Sequence, residues 1–118
     1  TAQIVWTTAP DGQVVEDSPT WRAFTGQSLE QWRGWGWLDA VHPDDRARAD
    51  AAWRDAIAGR TTYATEYRLR RHDGEYRWTL VQGVGVANAD GSLREWVGTN
   101  IDIHERQVRE VFINGILG

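Results

Sequence analysis

The chain of 118 residues contains no cysteine, no methionine and no lysine. Without cysteine there is no disulfide, no thiolate metal ligand, no thiol nucleophile and no photochemistry ending in a cysteine adduct. Without lysine there is no Schiff base and no P-loop lysine; all 13 basic residues are arginine. Long apolar runs are missing as well. None approaches the roughly 18 residues of a membrane-spanning helix. No basic stretch followed by an apolar segment and a small-residue cleavage site opens the chain, so no signal peptide is expected. There are three prolines, and no proline-rich linker, low-complexity stretch or internal repeat.

The residues that are present describe a soluble globule. Hydrophobic residues make up 41% of the chain and charged residues 25%, which excludes intrinsic disorder and favours one domain. A domain of this length buries roughly two-thirds of its unfolded surface, so it needs no covalent staple. The net charge of −4 is spread along the chain. Arg68, Arg70, Arg71 and Arg77 gather around one expected turn, but Glu66, Asp73 and Glu75 interleave with them. That pattern reads as a solvated hairpin, and no nucleic-acid partner is expected.

Three Asp-Gly pairs mark tight turns: Asp11-Gly12, Asp73-Gly74 and Asp90-Gly91. Glycine accepts positive φ without a Cβ clash, and aspartate tolerates the left-handed region. Strand-like runs rich in β-branched and aromatic residues flank them: Ile4–Thr8, Gln13–Glu16, Tyr63–Arg71, Tyr76–Val86 and Leu93–Ile103. Five strands are therefore expected, two before and three after a helical stretch over residues 18–59. In that stretch Ser18 before Pro19 is an N-cap with proline at the first helical position, and Gly26 ends the helix. Ser28 with Gln31 forms a capping box for a second short helix ending near Gly34. A further turn is expected over Trp37–Val41. Pro43, Asp44 and Asp45 open the longest helix, with acids at its positive end. Ala49, Ala52, Trp53, Ala56 and Ile57 give that helix one apolar face, and Gly59 is its expected stop.

Tyr76, Trp78, Leu80 and Val84 share one face of the fourth strand; Val81, Gly83 and Gly85 share the other. In the fifth strand Leu93, Val97, Ile101 and Ile103 oppose Trp96. Neither face is cleanly polar, so a terminal helix or a second subunit is expected over the face the other helices leave open. The tail over residues 105–118 carries Val108, Val111 or Phe112, and Ile116 as a stripe on a helix leaving the domain.

Three segments in order resemble one family. His42-Pro43-Asp44-Asp45-Arg46 is similar to a His-Pro-x-Asp entrance to the long helix. The run from Glu66 to Trp78 is similar to a third and fourth strand with their hairpin. Gly98-Thr99-Asn100-Ile101-Asp102-Ile103-His104-Glu105-Arg106 is similar to the last strand and its signalling junction. Together they resemble the PAS domain family with its C-terminal PAC motif, over about residues 3–107. The resemblance implies an α+β fold. It has a five-stranded antiparallel sheet in order 2-1-5-4-3, with short helices and one longer helix on one face around a small cavity. It implies a sensory and dimerising module of the kind found in bacterial histidine kinases and cyclic-dinucleotide enzymes, without catalytic residues of its own. The output passes through the segment after the last strand. On this reading residues 1–104 are the PAS sensor, and residues 105–118 lead to an output domain beyond the chain.

The chain also departs from that family. It has no cysteine for a flavin or coumarate adduct, and no histidine over Ala47–Ala58 to hold haem. No cofactor is expected; the input is an unknown small ligand or a partner. The junction reads Asp102-Ile103-His104 where the family usually has Asp-Ile-Thr, so a threonine hydroxyl cannot carry the signal here. Asp102, with Arg106 as its local partner, and His104, whose imidazole titrates near neutral pH, are the expected relay. Phe24, Trp37, Trp53 and Val97 are the expected pocket. His42 beside Asp44 and Asp45 lacks a third ligand and reads as a helix entrance, not a metal site.

The leading expectation is a cytoplasmic sensory module, dimeric through its sheet face and terminal segment, with no membrane contact. A second is a ligand-free assembly domain. A third, a small enzyme of cone-like fold, requires a buried Asp-His pair.

Overall fold

A computed structural model describes residues 3–117; Thr1, Ala2 and Gly118, at the ends of the two expected segments, lie outside the described residues. Strand β1 (Gln3–Thr8) is followed by helices α1 (Pro19–Thr25) and α2 (Leu29–Trp32), two 3-10 turns (Gly36–Ala40 and Pro43–Asp45), and the long helix α3 (Arg46–Gly59). Strands β2 (Tyr63–Arg70), β3 (Tyr76–Ala87) and β4 (Leu93–Asp102) form a meander, and helix α4 (His104–Leu117) leaves it. The antiparallel sheet runs in order β1-β4-β3-β2.

The sheet has four strands, not five. Gln13–Glu16 does turn back after Asp11-Gly12, and Ala9 donates to the Gln13 carbonyl at 2.9 Å. The chain then peels away. Val14 exchanges both backbone hydrogen bonds with Gly34 instead, at 3.1 and 2.8 Å, in a single bridge. The reason is burial: Val14 is core while Gln13, Val15 and Glu16 are exposed, so one inward side chain is all this run offers a ladder. The other strands keep the expected order.

Helix termini follow the local chemistry. The Ser18 hydroxyl accepts from Trp21 N–H at 3.1 Å and donates to the Val5 carbonyl at 2.6 Å. Gly26 takes φ 76° at the end of α1. Ser28 and Gln31 form both halves of the capping box. The stop of α3 differs from expectation. The helix includes Gly59, and Arg60 takes the left-handed φ of 52°.

Both outer strands have backbone groups closed by side chains, and on β2 by the His42 backbone as well, which blunts edge-to-edge pairing. On β1, Thr20 Oγ1 accepts from Val5 N–H at 2.9 Å while Ser18 covers the Val5 carbonyl. On β2, the Asp45 carboxylate accepts from Arg68 N–H at 2.9 Å, His42 N–H donates to the Arg68 carbonyl at 2.8 Å, and Arg48 donates to the Glu66 carbonyl at 2.6 Å. Asp45 is buried and also takes two bonds from the Arg68 guanidinium, at 2.9 and 2.8 Å. Those bonds hold its carboxyl below the usual carboxylate range. The expected dipole role of the acids is thus only part of the account, since Asp45 ties the α3 entrance to β2.

The face of β3 and β4 that carries Val81, Gly83, Trp96, Gly98 and Asn100 is the core face. Gly83 and Gly98 are cross-strand partners, and the Trp6 indole lies over both. A Cβ on Gly98 would collide with that ring and sit 2.6 Å from the Gln82 carbonyl oxygen. The glycines therefore make room for aromatic rings from β1 and the helices. Trp53 on α3 meets Trp6, Trp96 and Tyr63 at centroid distances of 5.7, 5.2 and 4.8 Å. The more aliphatic face, with Val5, Val84, Val97 and Ile101, points outward; Val5 and Val84 are 48% and 51% exposed. No helix among the described residues is long and apolar enough to cross a membrane.

Candidate functional site

The core holds a partly open cavity of about 30 Å3. Aromatic rings form most of its wall: Trp6, Trp21, Trp32, Trp37, Trp53, Tyr63 and Tyr67, completed by Thr8, Val14 and Val81. Trp21 and Trp32 stack at 5.1 Å, and Trp37 lies over Tyr67 at 6.2 Å. Burial pushes the hydroxyls of Tyr63 and Tyr67 far above the ordinary tyrosine range, so both stay protonated.

Trp37 and Trp53 stand on this wall, where the sequence places them. Phe24 and Val97 do not. Phe24 is buried in the same core without lining the cavity. Val97 has the opposite parity to Trp96 and Asn100 on β4, so it faces outward beside Val84, its cross-strand partner. The other wall residues lie on β1, α1, α2, β2, β3 and the Val14 bridge. Single-strand periodicity does not bring such positions together.

Two wall residues, Tyr67 and Trp6, lead out of the cavity. Tyr67 accepts a hydrogen bond from Asn100 Nδ2 at 3.1 Å. Asn100 is 1% exposed, and its other bonds fix its orientation. The Trp6 indole can only donate, and it reaches Asn100 Oδ1 at 2.8 Å. Nδ2 is then free for the Tyr67 and Thr79 oxygens, the latter at 3.3 Å, and Thr79 donates on to the Tyr67 carbonyl at 3.2 Å. This buried network joins β1, β2, β3 and β4. The sequence reading used Asn100 only as part of a motif and missed its role.

Two residues beyond Asn100, β4 ends at Asp102. Its carboxylate accepts from Arg77 Nε at 3.0 Å and from His104 N–H at 2.9 Å, so it binds β3 and caps the start of α4 together. The partner is Arg77, not the expected Arg106. Arg106 points to Glu66 on β2, at 3.5 Å, and Gln107 donates to the same carboxylate at 2.7 Å. The His104 ring occupies the next rung of the ladder: its Nδ1 accepts from Trp78 N–H at 3.2 Å, while Ile103 N–H donates to the Trp78 carbonyl at 2.9 Å. Beyond this junction α4 is exposed, with Val111 and Phe112 at 70% and 67%.

Neither His42 nor His104 forms the buried Asp-His pair that the third expectation requires. His42 Nδ1 accepts from Asp44 N–H at 3.1 Å and lies 4.0 Å from an Asp44 carboxylate that is 78% exposed. His104 meets Asp102 only through its backbone.

Comparison with known proteins agrees with this geometry. The PAS fold family model matches residues 14–100. A peroxide stress-activated histidine kinase of Schizosaccharomyces pombe is 36% identical over 117 residues, covering 92% of this chain and 7% of that protein. The chain spans 13% or less of the length of the curated relatives it matches. A sensory box histidine kinase/response regulator from Burkholderia thailandensis superposes with a TM-score of 0.70 at 28% identity, over 96% of this chain and 86% of that one. The N-terminal domain of a diguanylate cyclase with PAS/PAC sensor from Marinobacter aquaeolei has the same fold, with a TM-score of 0.75 at 20% identity, over 89% and 98%. The chain belongs to the PAS fold family and is a sensory signalling module.

Proposed function

We propose that the module reads the state of its aromatic cavity and passes it to α4 through β4, within a larger histidine kinase or cyclic-dinucleotide regulator. The observation that carries this reading is the unbroken path from cavity wall to exit helix. Tyr67 and Trp6 bond Asn100, and Asp102 two residues later holds both Arg77 and the first turn of α4. A ligand that alters the Tyr67 or Trp6 bond acts on β4 directly. For a shift to follow, it must bind two arrangements of β4 and α4 with different affinity. The module itself performs no chemistry; the output domain does.

The module works as a cytoplasmic homodimer, paired through the outward sheet face around Val84 and Val97 and through α4. Two features support that arrangement: the exposed apolar residues of both surfaces and the closed backbone groups on the outer strands, which turn association toward faces.

The small size of the cavity favours a second reading, a ligand-free assembly domain. A native mass spectrum beside the denatured mass separates the two. Extra mass that vanishes on denaturation supports sensing. A bare dimer supports assembly.

A further inference from the structure

Among the described residues, two fully buried polar atoms on the cavity wall have no hydrogen-bond partner. They are the Trp32 indole Nε1–H and the Tyr63 hydroxyl, in residues only 1% and 4% exposed. Native structures keep few such groups, because each gives up its bond to water and gains none in return. Four neighbouring indoles are all paired: Trp6 with Asn100, Trp21 with Gln27, Trp53 with the Gly12 carbonyl and Trp96 with the Pro10 carbonyl. The unpaired Trp32 and Tyr63 share the cavity wall. The Tyr67 oxygen accepts from Asn100, and its ring lines the same cavity.

We propose that this cavity binds a small neutral molecule carrying an acceptor oxygen, of about two to four non-hydrogen atoms, held by the Trp32 indole and the Tyr63 hydroxyl. The inference rests on reading the cavity as the sensing site and gives that site its ligand class. Three observations set the class. Size comes from the 30 Å3 of space, room for about two waters. Neutrality comes from the wall, which holds no carboxylate, guanidinium or imidazole; a charged ligand would be buried unpaired. The need for an acceptor comes from Trp32, which can only donate, and from the Tyr63 hydroxyl, which has a proton to give.

Acetone, which offers one acceptor oxygen on four non-hydrogen atoms, is the probe; acetate is its charged counterpart of the same shape. Indole N–H resonances are followed by 15N NMR, with Trp32→Phe assigning the Trp32 signal. Acetone should shift the Trp32 resonance saturably and leave the Gln27-bonded Trp21 resonance in place, while acetate does neither. Tyr63→Phe should weaken acetone binding about tenfold. It should not lower the melting temperature, because it removes an unpaired hydroxyl and no bond. Linear shifts common to all indoles, equal binding of acetate, or a Trp32 N–H held only by ordered water would overturn the proposal. Retained mass in the native ion without acetone binding would overturn this ligand class and leave sensing standing. Acetone binding through Trp32 and Tyr63 with no effect on amide exchange in α4 would uphold the site and overturn the sensing reading.

Discussion

Arg77 donates to Asp102 at 3.0 Å across the last rungs of β3 and β4, and both side chains are largely buried. The same Asp102 carboxylate accepts the first amide of α4. One side chain therefore fixes the end of the sheet and the start of the exit helix, and removing it should uncouple the two. Asp102→Ala should cost about 1–2 kcal/mol of stability, for a capping bond and a partly buried ion pair. It should raise amide exchange in α4 more than in the β2–β3 core. A double-mutant cycle with Arg77→Ala should return a coupling of about 1 kcal/mol. A coupling of zero would assign Asp102 to capping alone.

Asp45 predicts the response to acid. Its carboxyl is held below the usual range by the Arg68 bonds. The stability this supplies is complete above the unfolded carboxylate pKa, near 3.9, and is lost as pH falls through the depressed folded value. Denaturation curves from pH 7 to pH 2 should show that loss in the native chain. Asp45→Asn should be less stable at pH 7 by about 3 kcal/mol, since it leaves the Arg68 guanidinium without its partner, and should flatten the acid limb.

Gly98 has no room for a side chain. Gly98→Ala must displace the Trp6 ring or the Gln82 carbonyl, an overpacking cost of about 1–3 kcal/mol. Urea denaturation measures it. A neutral result would mean that the Trp6 shelf is not tightly packed.

His104 can accept from Trp78 N–H only while Nδ1 keeps its lone pair. His104→Ala, which removes that acceptor, should raise amide exchange in the first turn of α4 while the core amides keep their protection. His104→Gln keeps a side-chain acceptor. At a single pH it should keep α4 exchange nearer the native rate than His104→Ala does; equal rates in the two variants would mean that the Trp78 bond does not hold the turn.

Much of this was legible in the sequence because its signals are local. Ser18 with Pro19, the Ser28–Gln31 box and the Asp-Gly turns depend on a few adjacent residues, and the helices and the meander follow from them. Gln13–Glu16 misled because an Asp-Gly turn between β-formers specifies a reversal but not a ladder partner; Gly34 supplies that from twenty residues away. Val97 misled because hydrophobicity does not say which face of a sheet the helices cover. Here the glycine-bearing face takes the large rings. Arg77 was missed as the partner of Asp102 because the pair is cross-strand, whereas Arg106 is close only in sequence. Asn100 gave no separable signal, since a buried amide is recognised by the three groups around it.

The central claim is that the cavity wall and α4 are coupled through Asn100. Amide hydrogen exchange of α4 in Asn100→Leu and in the native chain tests it most directly. Leu fills similar space but cannot bond Trp6 or Tyr67. The account predicts faster exchange at His104 and along the first turns of α4, with the α1 and α3 amides keeping their native protection. Unchanged α4 exchange in a folded Asn100→Leu would contradict it and leave the network as core packing alone.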